Sequence, residues 1–469
     1  MSGSYNQSNN QSGKVLIFNY MKRIIPFSFL IFTIVLSGCG NTTGGELTGV
    51  QGRKKFFESD PYGMQYIVGG SFTTGQSDQA VDWAQNIMSK TITVDAFWMD
   101  DTEITNNEYR QWVYWTRDSI SRRLLAKAGI DGFLLEGDSY DALDEDNRPL
   151  NWKTKIDTRK HEDQKDALEE MYLPEHERFF GRKEIDTRKL IYEYYWVNMP
   201  QAANPRNRYN FQKKEYNGFA FNALGEKVDV KDRSAFIMHD WVQVYPDTLC
   251  WISDFSYSYN EPFTNMYFWH VAYDNYPVVG VNWNQAKGFC AWRTELLNKA
   301  LADARDPNVH RYRLPTEYEW EWAARGGLAN EKYPWGGPYT RNSQGCFLAN
   351  FKPLRGNYAD DGAVRTVRVA TYEPNDYGLY DMAGNVAEWT ISAYDESAYN
   401  FTHDLNPNYE YNARPDEPAV MKRKVVRGGS WKDIEYFLQV STRTYEYQDT
   451  ATTFIGFRCV RDYLGNSVK

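Results

Sequence analysis

Residues 426 to 459 read VRGGSWKDIEYFLQVSTRTYEYQDTATTFIGFRC, opening on Arg427-Gly428-Gly429-Ser430-Trp431 and closing on Gly456-Phe457-Arg458-Cys459. No cysteine stands between the two phrases. A thiolate is the species that exchanges disulfides and holds soft metal ions, and serine, leucine or arginine cannot take its place. The stretch therefore frames a site that carries no thiol.

Five more blocks lie upstream. Pro374 to Thr390 reads PNDYGLYDMAGNVAEWT, and Tyr333-Pro334-Trp335-Gly336 precedes it. Arg311 to Gly327 reads RYRLPTEYEWEWAARGG, in which Thr316 with Glu319 forms a capping box and Gly326-Gly327 stops the helix. Glu317, Glu319 and Glu321 offer paired carboxylates, yet capping and helix-surface roles explain them better than catalysis. Tyr276 to Trp283 predicts a short buried strand, followed by a helix over Asn284 to Ala300 carrying Ala286, Phe289, Cys290 and Trp292. In Phe97 to Tyr109 a strand-like start gives way to a second capping box, Thr105 with Glu108. The helix it opens carries Tyr109, Trp112, Val113 and Trp115 on one aromatic face, a packing pattern rather than a site.

Taken in this order, the six blocks resemble the formylglycine-generating enzyme (sulfatase-modifying factor) family over about residues 95 to 120 and 276 to 462. The resemblance implies one large α+β domain, related to C-type lectin folds, with little regular secondary structure. Oxidase members of the family convert a substrate cysteine to formylglycine with copper and a reactive cysteine pair. Aligning the Arg-Gly-Gly-Ser-Trp ends puts Leu438 and Arg443 near the pair's positions, so the resemblance implies a catalytically inactive member that needs no copper. Where the family usually has an aromatic residue, this chain has Ala387. The family's first calcium site maps onto Asn350, Phe351, Asp361 and Ala363, and the second onto Asp381, Gly384, Val386 and Glu388. Mixed carbonyl and carboxylate oxygens suit calcium. The family also bridges the positions of Cys290 and Cys459.

The rest of the chain narrows the function. With 42% apolar and 16% aromatic residues it can bury a large core. A net charge of -9 and the lack of a long Lys/Arg run argue against a nucleic-acid partner. A second catalytic branch of the fold holds non-haem iron with three histidines. Here the six histidines, His161, His176, His239, His270, His310 and His403, include no i, i+4 pair. Phosphate loops, Gly-x-Ser-x-Gly elbows and Cys-x-x-Cys pairs are also lacking.

Met21-Lys22-Arg23, the apolar run Ile24 to Leu36, and Leu36-Ser37-Gly38-Cys39 read as a secretory signal, 21–38, ending in a box that resembles a bacterial lipoprotein cleavage site. On that reading residues 1–20 lie upstream of the true start, Cys39 is lipidated, and 39–60 is a polar tether to a folded body over 61–469. No acidic cluster directly follows Cys39, so the expected location is the outer membrane, facing the periplasm. Exported cysteines can pair, and Cys250, Cys290, Cys346 and Cys459 allow three connectivities from sequence alone. Between Asp118 and about Tyr273 the family signatures vanish, which implies an inserted region of about 120–272. Ile-Asp-Thr-Arg-Lys occurs there twice, too short a phrase to make a repeat.

Lipobox, oxidase-like fold, missing cysteine pair and charged insertion together resemble the periplasmic lipoprotein of type IX secretion and gliding-motility machinery. The resemblance implies a non-catalytic subunit of a large ring under the outer membrane. Its implied partners are further copies of itself, a second periplasmic ring protein and outer-membrane secretion components. A lipid-anchored, lectin-like glycan binder is the rival reading, and an active oxidase comes third.

Overall fold

The computed structural model describes residues 47, 49–50, 58–76, 89–137, 148–222, 225–256, 262–353 and 356–465. Residues 1–20, the signal reading over 21–38, Cys39 and most of the tether lie outside the described residues. All that follows belongs to one compact unit, Glu58–Lys469.

Three helices organise it, and two of them start where the sequence predicts a capping box. Helix α1 spans Asn106–Lys127. The Thr105 hydroxyl oxygen accepts from Glu108 N–H, and Thr105 N–H donates to the Glu108 carboxylate at 2.8 Å. The pair satisfies two of the four donors that a helix start leaves open. Helix α2 spans Trp283–Asp303 and is capped in the same way by Asn282 and Gln285. Helix α3 spans Glu317–Arg325, opens on Thr316 with Glu319, and stops at Gly326 in the left-handed conformation (φ 58°).

The aromatic face of α1 packs on α2: Tyr109 stacks on Phe289 at 5.7 Å, and Trp112 meets the same ring edge-on. Phe457 of the C-terminal signature closes on Phe289 at 5.4 Å, so the two ends of the chain share one core.

Two four-stranded sheets carry parts of several of the signature blocks. One is antiparallel throughout, in the order Met64–Ile67, Phe97–Asp100, Val460–Asp462 and Tyr312–Arg313. The other runs Thr444–Tyr447, Arg423–Arg427, Ala387–Ala393 and Ile455–Gly456, the last pair being parallel. Every residue of Ala387–Ala393 is buried, including its polar Glu388, Thr390 and Ser392. Among the described residues no strand exceeds seven residues, in keeping with an α+β fold of short elements.

One expectation fails. Pro277 to Val281 is buried but forms no strand, making a single bridge from Pro277 to Thr105. Gly280 turns the chain with φ 74°, and a Cβ there would lie 2.3 Å from the Asp247 carbonyl oxygen, so the segment bends where a strand must run straight.

Within 120–272 an antiparallel hairpin pairs Ile191–Val197 with Ile237–Gln243. Strand alternation splits its aromatics. Tyr192, Tyr194 and Trp196 turn inward: the Tyr192 hydroxyl donates to Glu295 on α2 at 2.8 Å, and Trp196 Nε1 donates to Asp240 at 2.7 Å. The opposite face presents Tyr195, 68% exposed and stacked on His239, beside Trp241, 66% exposed.

Candidate functional site

The C-terminal signature is built around arginines with no access to solvent. Arg427 ends its strand, and its Nη2 donates to Glu321 at 2.8 Å while Nη1 donates to the carbonyls of Val440 and Thr442 at 3.1 Å each. Gly428 and Gly429 follow, both left-handed (φ 91° and 67°), and a Cβ on Gly429 would meet the Phe437 carbonyl oxygen at 2.8 Å. The double glycine thus folds the next segment back over the strand.

Leu438 and Arg443, the positions aligned with a reactive pair, are both buried. Leu438 packs with Tyr333, Ala349, Phe351 and Ala383. Arg443 makes a two-pronged pair with Glu317, at 2.6 and 3.0 Å, and gives a third bond to the Asp395 carbonyl.

Glu321 completes the network, accepting from Arg325 at 2.7 Å, Thr74 Oγ1 at 2.7 Å and Gly75 N–H at 3.1 Å. Burial raises its carboxyl pKa, but Arg325 and Arg427 outweigh that and hold it below the usual range. Glu317 and Glu321 are therefore internal counter-ions, which corrects the helix-surface reading; Glu319 alone keeps the capping role. The i, i+4 spacing of Glu317, Glu321 and Arg325 on a helix otherwise rich in aromatics was the available signal.

Arg458 anchors a second knot. Its guanidinium donates to both oxygens of Glu388 (2.6–2.9 Å) and to the carbonyls of Asp100 and Tyr380. Trp320 Nε1 donates to Glu388 as well, at 2.8 Å. Glu103 is fully buried here and accepts from Val386 N–H at 3.1 Å and Asn385 Nδ2 at 2.8 Å. Burial, then the nearby Asp381 and Glu388 charges, hold its carboxyl well above the ordinary range. Asp381 is pushed up to about 6, chiefly by burial. Next to Arg458, the Cys459 sulfur lies 3.5 Å from that of Cys290, both as free thiols.

The two predicted ligand sets form one seam. Asn350 Nδ2 donates to Asn385 Oδ1 at 3.2 Å, and Asn385 N–H donates to the Asn350 carbonyl at 2.8 Å. A Cβ on Gly384 would sit 2.4 Å from that same carbonyl oxygen. Asp361 accepts from the N–H groups of Phe351 (2.9 Å) and Ala363 (3.2 Å), and Asp381, at φ 54°, accepts from Ala370 N–H at 2.8 Å. Glu388, from the second expected set, accepts from Arg458 and Trp320. Among the described residues no three His, Cys, Asp or Glu side chains are placed to hold an ion. Any cation here would rest on Asp381 and Asn350 with backbone carbonyls such as those of Gly384 and Val386, in a region where three carboxylates face one guanidinium.

A family model described as the sulfatase-modifying factor enzyme 1-like domain matches residues 53–171 and 195–463. The chain belongs to this family. The match breaks only over 172–194, so it does not set off 120–272 as an insertion. Among relatives within the family, an inactive C-alpha-formylglycine-generating enzyme 2 of Bos taurus is 36% identical over 190 residues, 39% of this chain and 50% of that one. A formylglycine-generating enzyme of Streptomyces coelicolor is 32% identical over 192 residues, 40% of this chain and 53% of that one. The chain spans about half the length of these curated relatives. A solved structure of PvdO from Pseudomonas aeruginosa aligns with 85% of this chain and 94% of its own at 19% identity, with a TM-score of 0.41. Relatives named as inactive and relatives named as formylglycine-generating enzymes both match this chain, so family membership leaves the chemistry to the residues of the site.

Proposed function

We propose that the protein is a non-catalytic member of the sulfatase-modifying factor family, acting as a structural subunit. One observation carries this: no cysteine stands between Val426 and Cys459, and Arg443, near one of the positions where the pair would be, is locked in a buried two-pronged pair with Glu317. A guanidinium held this way supplies neither a nucleophile nor a copper ligand. The inactive relative with similar sequence supports the same reading. Incubated with copper and a sulfatase-type cysteine peptide, the purified protein is expected to yield no aldehyde by mass spectrometry, and turnover above the protein-free control would overturn the proposal.

The finer reading, a lipid-anchored subunit of a periplasmic ring in type IX secretion and gliding motility, rests on the lipobox at Cys39, the missing pair and the charged region after Asp118. It places the protein at the outer membrane with a second ring protein and secretion components as partners. The exposed Tyr195 and Trp241 form an assembly surface in this reading, because large aromatics on a flat sheet face are what interface cores use. Changing both to serine is expected to shift the protein from a large assembly to small species in sedimentation while its melting temperature holds. Unchanged sedimentation with a folded double variant would remove the hairpin from the interface, and a shift caused by added glycan would favour the lectin-like reading.

Calcium belongs to the same proposal, as a structural ion at the seam of Asn350 and Asp381. A ligand bound only by the native state stabilises it. Excess chelator is thus expected to lower the melting temperature of the wild type and to leave Asp381→Asn unmoved; equal curves with and without chelator in the wild type would exclude the ion.

A further inference from the structure

Helix α1 and the chain after it line a half-open cavity of about 460 Å3 that no part of the proposed function uses. Its size falls within the roughly 300–1,000 Å3 of small-molecule sites. The apolar side is made by Leu168 and Met171, both buried, with Ile156 and Ile185 beside them. The polar side is cationic. Arg117, Arg122 and Lys155 line it against a single carboxylate, Asp118.

That carboxylate is already taken by Arg117, at 2.7 Å. Arg122 is 7% exposed, and its guanidinium donates to carbonyl oxygens: Asn151 at 3.1 Å, Asp118 at 3.2 Å and Thr154 at 3.2 Å. Among the described residues neither Arg122 nor Lys155 has a carboxylate partner. A buried charge normally finds a counter-ion. Here an excess of two positive charges lines a half-apolar cavity, in a chain whose net charge is -9.

We propose that this cavity binds a small amphipathic carboxylate, its apolar body against Leu168 and Met171 and its head between Arg117 and Lys155. Arg117, whose Nε and Nη2 already engage Asp118, supports the head through its remaining Nη1, and Lys155 adds an exposed point charge at the rim. The site is independent of the assembly reading, since it lies apart from the outward face of the hairpin and shares no residue with it.

Calorimetric titration of the full chain with 4-phenylbutyrate, 4-phenylbutanol and 4-phenylbutylamine tests the assignment. The acid is expected to bind saturably at one site, more weakly as salt rises, with the alcohol about tenfold weaker or more and the amine silent. Lys155→Glu, at an exposed position, is expected to weaken the acid by about tenfold or more without moving the melting temperature of the unliganded protein, and Lys155→Arg to retain it. No saturable heat with the acid, equal binding of acid and alcohol, or Lys155→Glu that binds like wild type each overturns the proposal. A short peptide with an apolar C-terminal residue that displaces the acid and binds more tightly overturns the small-molecule assignment in favour of a polypeptide carboxylate.

Discussion

Replacing Glu321 with alanine is expected to destabilise the domain by about 3–5 kcal/mol, the range for removing one partner from a buried ion pair. The cause is what remains behind. Arg325 and Arg427 are buried, and both direct a nitrogen at Glu321 within 2.8 Å, so the variant leaves guanidinium charge in a dry core that water cannot reach. Thr74 Oγ1 and Gly75 N–H lose their acceptor in the same step. Chemical denaturation should report the loss as a lower midpoint with an unchanged slope. Glu169→Ala is the control: its side chain is 47% exposed where it meets Arg178 and Lys183, so screening and side-chain entropy cancel most of the gain, and its midpoint should stay close to the wild type. A Glu321→Ala shift no larger than that of the control would show that the network contributes nothing beyond packing.

Oxidation of Cys290 and Cys459 to a disulfide is expected to produce the largest stabilisation available to this chain. The sulfurs are 3.5 Å apart and the residues are separated by 169 positions. Closing them to about 2.0 Å asks only for a local adjustment. In the chain-entropy model a loop of that length stabilises by about 5 kcal/mol, and native strain reduces the figure in practice. Burial pushes the Cys459 thiol well above its usual range, with Cys290 adding to it, so little thiolate exists in the folded state and the bond forms most readily during folding in an oxidising compartment. The oxidised protein should unfold at a higher denaturant concentration than the reduced protein or Cys290→Ala. Peptide mapping without reduction should recover the two cysteines linked; Cys290 recovered as a free thiol after refolding with oxidant would refute the bridge.

What was legible in the sequence follows from how far apart the interacting residues are. Two of the three helix starts could be read directly, because Thr105 with Glu108 and Thr316 with Glu319 act over three residues; Asn282 with Gln285 obeys the same geometry and came from the structure. Gly326 marked the end of α3 for an equally local reason. The aromatic face of α1 was visible at helical spacing, and the lack of a thiol between Val426 and Cys459 needs no coordinates at all.

The hairpin aromatics were readable as a run, yet which of them face the core depends on the register of Ile191–Val197 against Ile237–Gln243, and strand alternation then divides Tyr192 from Tyr195. Tyr276 to Val281 has a strand's composition, and the turn at Gly280 is fixed by the Asp247 carbonyl packed against it.

The charged core was decided by tertiary structure alone. Glu321 meets Arg427 across 106 residues and Glu317 meets Arg443 across 126, while Glu103 joins Asn385 across 282. By itself the sequence determined the helices, two of their caps and the lack of a cysteine between Val426 and Cys459, because each depends on neighbours within a turn or on residue identity. Whether a carboxylate caps a helix, faces water or neutralises a buried arginine depends on which distant segment folds against it, and only the packed chain determines that.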